Sequence, residues 1–222
     1  MNDARIEVCV FDAYGTLFDV HSAVRRAGSA LGSRAGAISA LWRSKQLEYT
    51  WVRSLMHRYA DFWSCTEEAL DHALTVYGGA DPTIRNALLN AYRTLDAYAD
   101  VRPALERLRD RGKRLAVLSN GTPEMLKQAV EAAGLADFGM LLLSVDGLRV
   151  FKPDPRVYAL AGDALGISPQ AISFQSANAW DVAGATAAGL HGVWINRIGA
   201  APEYGGATKM LPSLAGLPEL VR

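Results

Sequence analysis

Four short stretches hold the side chains best suited to chemistry: Asp12-Ala13-Tyr14-Gly15-Thr16, Ser119-Asn120-Gly121, Lys152-Pro153-Asp154 and Ser176-Ala177-Asn178-Ala179-Trp180-Asp181. Three of them close a short apolar run, and the Lys152 stretch follows one after a brief connection. In an open parallel sheet, ligands bind outside the carboxyl ends of the strands, near the point where the strand order reverses. That rule delivers Asp12, Ser119, Lys152 and Asp181 to one place. A carboxylate, a hydroxyl, an ammonium and a second carboxylate are the materials of nucleophilic and acid–base catalysis. Taken singly, Ser and Asp near helix starts commonly do no more than cap them. Capping does not explain four such groups at four successive strand ends.

The elements that must position them are legible. Runs at 6–11, 114–119, 140–144, 172–176 and 192–196 are short, rich in Val, Ile, Leu or Phe, and bounded by polar residues or Gly, as buried strands are. Helices are predicted over 104–111, opened by Pro103 and followed by Gly112; over 124–133, opened by Pro123 and followed by Gly134; and over 155–165, followed by Gly166. Strand alternating with helix predicts a parallel sheet covered on both faces. The interval after the first strand breaks this alternation and reads as helices only, over 35–56, 67–77 and 82–94. The expected fold is α/β: a Rossmann-like parallel sheet core of 1–18 and 98–222, with a helical cap subdomain of 19–97.

Composition narrows the function classes. The chain has 222 residues, 50% of them apolar and 21% charged, which excludes disordered and fibrous classes. Lys and Arg number 23 against 23 Asp and Glu, so no basic excess points to nucleic acid. No apolar run reaches membrane-spanning length, and the N-terminus lacks a signal-peptide layout, so no membrane partner and a cytoplasmic setting are expected. Cys9 and Cys65 are too few for a disulfide scaffold and are expected to be buried thiols. His21, His57, His72 and His191 form no metal-ligand spacing. The glycines Gly184 and Gly189 lie within a helical pattern, with no following Lys-Ser/Thr, and are no phosphate loop.

The four stretches resemble the four motifs of the haloacid dehalogenase superfamily, whose members place a cap directly after the first motif. Phe18-Asp19-Val20-His21-Ser22 and Leu41-Trp42-Arg43-Ser44-Lys45-Gln46-Leu47-Glu48-Tyr49 resemble the L-2-haloacid dehalogenases themselves, and the likeness runs on to Trp194-Ile195-Asn196-Arg197. Phosphatases of this superfamily carry a second aspartate two residues after the nucleophile, as leaving-group acid and magnesium ligand. Here that place holds Tyr14, which supplies neither at neutral pH. A departing halide needs no proton. The resemblance therefore implies hydrolysis of short-chain (S)-2-haloalkanoates to (R)-2-hydroxyalkanoates, with no metal and no cofactor.

The resemblance also implies roles. Asp12 is the nucleophile and forms an aspartyl ester; Lys152 is its cationic neighbour; Thr16, Ser176 and Asn178 hold its unreactive oxygen; Asp181 orients or activates the hydrolytic water. Ser119 suits the substrate carboxylate, with backbone N–H groups at the helix start before Pro123. Arg43, Asn120 and Phe62 form the halide cradle, Tyr14, Leu47 and Trp180 form apolar walls, and Ala13 belongs to the same substrate-binding set. A homodimer is expected of this family, and apolar side chains such as Leu41, Leu47, Trp51, Leu55 and Tyr59 would serve either its interface or cap–core packing. Three departures bear on substrate range: Ser44 and Ala177 are smaller than is usual, and Gln175 is polar within a strand. Alternation points Gln175 away from the Ser176 side. A phosphatase or phosphonatase, which would depend on magnesium, and a non-catalytic binder on the same fold are the competing readings.

Overall fold

The computed structural model describes residues 5–205 and 209–221. Residues 1–4, 206–208 and 222 of the expected core lie outside the described residues. The element order is β1 (Val8–Phe11), α1 (Ser22–Ala27), α2 (Ala35–Leu55), α3 (Phe62–Val76), α4 (Pro82–Arg93), α5 (Val101–Asp110), β2 (Arg114–Ser119), α6 (Pro123–Ala132), β3 (Leu141–Ser144), α7 (Pro155–Leu165), β4 (Ile172–Ser176), α8 (Ala179–Ala187), β5 (His191–Ile195), β6 (Lys209–Leu211) and α9 (Leu217–Leu220). Short 3-10 turns join several of these. The strands form one parallel sheet in the order β3-β2-β1-β4-β5-β6. The expected Rossmann-like α/β fold is therefore present.

Each residue of β1 is buried, as a central strand with both faces covered requires. Its neighbours are β2 and β4, with Phe11 opposite Val117 on one side and Gln175 on the other. Strand order reverses at β1, so the crevice where ligands collect lies beyond the ends of β1 and β4. Helix starts follow local chemistry: the carboxylates of Asp61, Asp81 and Asp154 and the hydroxyl of Thr122 accept backbone N–H groups at the starts of α3, α4, α7 and α6. Pro sits in the first turn of the last three, where no N–H partner is needed.

Between β1 and α5 the chain is helical, as the sequence implies. It leaves and returns side by side: the Asp19 N–H donates to the Asp96 carbonyl over 2.8 Å, and the Tyr98 N–H to the Leu17 carbonyl over 3.0 Å. Helix α3 packs along α2, and the Trp42 indole N–H donates to the Thr66 carbonyl over 2.8 Å.

Several boundaries differ from those read in the sequence. Helix α5 begins at Val101 rather than after Pro103, because Pro in a first turn removes only an N–H that has no helical partner. Helix α3 begins at Phe62, five residues early, where the Asp61 cap opens it. Helix α1 has six residues and no side-chain cap, and β6 is a three-residue exposed edge; both are too short to leave a periodic signal.

Candidate functional site

Asp12 follows the last residue of β1. Behind it the chain turns sharply: the Ala13 carbonyl accepts N–H groups from Leu17 (2.9 Å) and Phe18 (3.0 Å), and Gly15 takes φ 97°, a region open to glycine. The turn brings the Thr16 hydroxyl back to Asp12 Oδ2 at 2.9 Å. The end of β4 supplies two further donors to that oxygen, Asn178 Nδ2 at 3.1 Å and Ser176 Oγ at 3.4 Å. Thr16 Oγ1 also accepts the Ala177 N–H over 2.8 Å, which ties the two strand ends together. Asp12 Oδ1 is left to Lys152, whose Nζ lies 3.0 Å away.

Lys152 Nζ also reaches Asp181 Oδ2 at 2.9 Å, so one ammonium bridges two carboxylates. Lys152 is 1% exposed and Asp181 fully buried. Burial alone would lower the lysine's pKa, but the charges of Asp12 and Asp181 outweigh it and hold the pKa above its ordinary value. For Asp181 burial wins: reinforced by the Asp12 charge, it lifts the carboxyl to about 6 despite Lys152. The Tyr158 hydroxyl donates to Asp181 Oδ1 over 2.8 Å, and its own pKa is raised by burial and by the Asp181 charge. Asn120 Oδ1 accepts the Lys152 backbone N–H over 3.0 Å and so fixes the lysine to the end of β2.

A magnesium ion does not fit this set. The point between the two carboxylates is taken by the Lys152 ammonium, and Tyr14 offers a buried phenol whose pKa is raised well above normal, first by desolvation. Among the described residues, no group of three His, Cys, Asp or Glu side chains is placed to hold a metal.

The roof comes from α2, α3 and α4. Arg43 donates to the Tyr14 carbonyl and to Gln46 Oε1, each over 2.9 Å. Gln46 Nε2 donates in turn to Thr66 Oγ1 (2.6 Å) and the Tyr92 hydroxyl (3.0 Å), forming a buried polar network. The Tyr14 ring stacks on Tyr92 with centroids 5.7 Å apart and packs against Phe62 at 5.6 Å. Gly121 lies under the same ring, where an added Cβ would stand 2.8 Å from it.

These groups enclose a cavity of about 10 Å³, room for roughly one water. Asp12, Tyr14, Arg43, Leu47, Phe62, Ser119, Asn120, Lys152, Asn178 and Trp180 line it, and each is among the residues expected at the site. Thr16, Ser176 and Asp181 stand outside the lining and act on Asp12 or Lys152 from behind. The fully buried Ala13 side chain does not line the cavity, so its place is in the turn. Ser44 is exposed and absent from the lining, so its small side chain does not widen this cavity. Gln175 donates to Ser173 rather than to the site. His21 pairs with Ser39 at 2.7 Å, outside the cavity. Cys9 and Cys65 are buried free thiols.

Sequence reasoning missed Tyr158, Gln46, Thr66 and Tyr92. Gln46 carried a signal, a polar residue three positions after Arg43 and hence on the same helical face. Tyr158 and Tyr92 lie within the helices predicted over 155–165 and 82–94, where the sequence carries no sign of their polar partners.

The pattern described as haloacid dehalogenase-like hydrolase matches residues 6–189. The chain belongs to this family. Among haloacid dehalogenase-like hydrolases it is 50% identical over 200 residues to the (S)-2-haloacid dehalogenase 4A of Burkholderia cepacia, covering 90% of this chain and 87% of the relative. It is 48% identical over 219 residues to the (S)-2-haloacid dehalogenase 1 of Pseudomonas sp. strain CBS-3, covering 97% and 96%. A solved structure of the L-2-haloacid dehalogenase of Xanthobacter autotrophicus, with chloropropionic acid covalently bound, superposes with a TM-score of 0.87 at 38% identity, covering 98% of each chain.

Proposed function

We propose that this chain hydrolyses short-chain (S)-2-haloalkanoates, L-2-chloropropionate among them, to (R)-2-hydroxyalkanoates and halide through an ester on Asp12. The observation that carries this reading is the setting of Asp12. One oxygen is held by three neutral donors, and the Lys152 ammonium takes the point between Asp12 and Asp181. A phosphoryl transfer asks for a divalent cation and for an acid at the place of Tyr14; loss of halide asks for neither.

Asp12 Oδ1 attacks the halogen-bearing carbon from the side opposite the halogen. The C–O bond forms as the carbon–halogen bond breaks, and the configuration inverts. The Ser119 hydroxyl accepts the Gly121 N–H over 3.1 Å, which leaves its own proton free for the substrate carboxylate. Halide departs toward Arg43, Asn120 and Phe62. The cavity is small enough that a seated substrate leaves little room for water beside the carboxylate during attack.

In the ester Asp12 has lost its charge, so Asp181 no longer faces a like charge and keeps Lys152 and Tyr158 as partners. Both favour its ionised form. Asp181 takes a proton from water as the oxygen attacks Cγ of Asp12, then returns it to the departing alkoxide. The product hydroxyl thus carries an oxygen that belonged to Asp12. The one proton released in net leaves as the Asp12 carboxylate re-forms.

Chloride release from each enantiomer of 2-chloropropionate, measured in EDTA, tests the reading. The (S) form alone should react, and no chloride from it would sink the proposal. We further read residues 19–97 as a helical cap on a core of 1–18 and 98–222, supported by the adjacent crossings at Asp19–Asp96 and Leu17–Tyr98. The cytoplasmic homodimer implied by the family belongs to the same reading, and a monomer mass in light scattering would remove the dimer. No helix among the described residues is long and apolar enough to cross a membrane.

A further inference from the structure

The end of β5 also turns a charged side chain toward the residues behind Asp12. Arg197 stands two residues beyond the strand, in the Trp194-Ile195-Asn196-Arg197 stretch. Its Nη2 donates to the Thr16 carbonyl over 2.9 Å. Thr16 is fully buried, and no other donor among the described residues reaches that carbonyl. Arg197 Nη1 lies 3.1 and 3.0 Å from the two carboxylate oxygens of Asp100, and the guanidinium carbon sits 3.9 Å from the centre of the Tyr98 ring. The Arg197 and Asp100 side chains are 15% and 16% exposed, so water screens them less than a surface pair. Asp100 opens α5, where an aspartate ordinarily caps its own helix, yet it makes no capping bond. Its carboxylate is given instead to Arg197 and to the Leu214 N–H, which donates to Oδ2 over 2.7 Å.

We propose that Arg197 is a positioning residue for the attack by Asp12 and acts through Thr16. The inference rests on the assignment of Asp12 as nucleophile. Arg197 does not line the catalytic cavity, so it works at one remove from the substrate. Thr16 lies in a turn, with neither helix nor strand to fix its place. Its hydroxyl donates to Asp12 Oδ2 over 2.9 Å and accepts the Ala177 N–H over 2.8 Å, while Arg197 holds its carbonyl. Without the guanidinium a buried carbonyl loses its partner, and the turn must shift to find water or another donor. That shift carries the hydroxyl away from Oδ2. Oδ2 is the oxygen that must stay bound if Oδ1 is to point at the halogen-bearing carbon.

Ester formation on Asp12 tests this role, with enzyme in excess over (S)-2-chloropropionate, rapid quenching and peptide mass spectrometry. The wild type is compared with Arg197→Met, Thr16→Val and the double variant, and varying enzyme concentration separates the maximal rate from half-saturation. Arg197→Met should slow the maximal rate about 10- to 100-fold and move half-saturation by less than about twofold. Because both residues act on one oxygen, the double variant should match the slower single variant within about twofold instead of multiplying the two losses. Arg197→Lys keeps the charge but not the planar fork, so its rate should fall between those of the wild type and Arg197→Met. Urea unfolding checks that each variant is folded, and Arg197→Lys takes the place of Arg197→Met in the cycle if the latter is not. Losses that multiply in the double variant would make Arg197 a general support of the fold and overturn the proposal. So would an unchanged rate of ester formation, or a loss confined to half-saturation. No ester in the wild type would overturn the dehalogenase reading and this role with it, whereas wild-type ester formation in the Arg197 variants would overturn the role alone.

Discussion

Tyr158→Phe removes one hydroxyl and leaves the ring in its edge-on contact with Phe174, 5.7 Å between centroids. What is lost is the 2.8 Å hydrogen bond to Asp181 Oδ1. That bond favours the ionised carboxylate, so its loss raises a carboxyl already lifted to about 6 by burial. A hydrogen bond to a charged group contributes about 1.5–3 kcal/mol, which corresponds to a rise of roughly 1–2 pH units. In the proposed mechanism Asp181 must be ionised to accept the water proton. The acid limb of kcat, at or below about 6 in the wild type, should therefore move up by roughly 1–2 units, while kcat at high pH changes far less. The assay is chloride release across pH 5 to 10, with quenched samples analysed by mass spectrometry for the ester on Asp12. The ester should accumulate in the variant near pH 6.5, because its formation does not use Asp181 while its hydrolysis does. An acid limb that stays in place, or a variant that slows ester formation instead, would refute the assignment of Asp181 as the base of the second step.

Two further outcomes follow from buried polar groups. Gln46→Leu leaves the Arg43 guanidinium, Thr66 and Tyr92 without their shared partner, so unfolding stability should fall by about 1–3 kcal/mol. Chemical denaturation reads this loss, and single-turnover ester formation should slow because Arg43 loses one of its two anchors; a variant unchanged in both would remove Gln46 from the positioning of Arg43. The raised carboxyl of Asp181 predicts a sign in the pH dependence of stability. Its contribution is fully present below the unfolded pKa of 3.8 and is lost as pH rises through about 6, a change on the order of 3 kcal/mol. Urea unfolding of the wild type should fall relative to Asp181→Asn between pH 4 and 6.5, and a difference of opposite sign would contradict the raised pKa.

The short apolar runs and the Pro and Gly punctuation made the sheet and most helices readable, because β1 and β4 are buried on both faces and, Gln175 apart, β4 keeps the apolar residues that burial asks for. The strand-end rule was enough to gather Asp12, Ser119, Lys152 and Asp181, since it depends on topology and not on side-chain detail. Two kinds of feature stayed hidden. Short elements such as α1 and β6 have too few residues for a period. Supporting polar groups such as Tyr158 and Gln46 are recognisable only once packing has paired them, Tyr158 with Asp181 across 23 residues and Gln46 with Tyr92 across 46. Ser44 illustrates the reverse: its position beside Arg43 in sequence suggested an effect on the pocket, yet one helical step of about 100° turns it to solvent.

Single-turnover reaction in heavy-oxygen water tests the account most directly. With enzyme in excess over (S)-2-chloropropionate, water attacks Cγ of Asp12 and the product hydroxyl is taken from the enzyme. The heavy oxygen should appear in the Asp12 carboxylate, located by peptide mass spectrometry, and the released lactate should be unlabelled. Labelled lactate with unlabelled Asp12 would mean that water attacks the substrate carbon directly, and would contradict the ester mechanism.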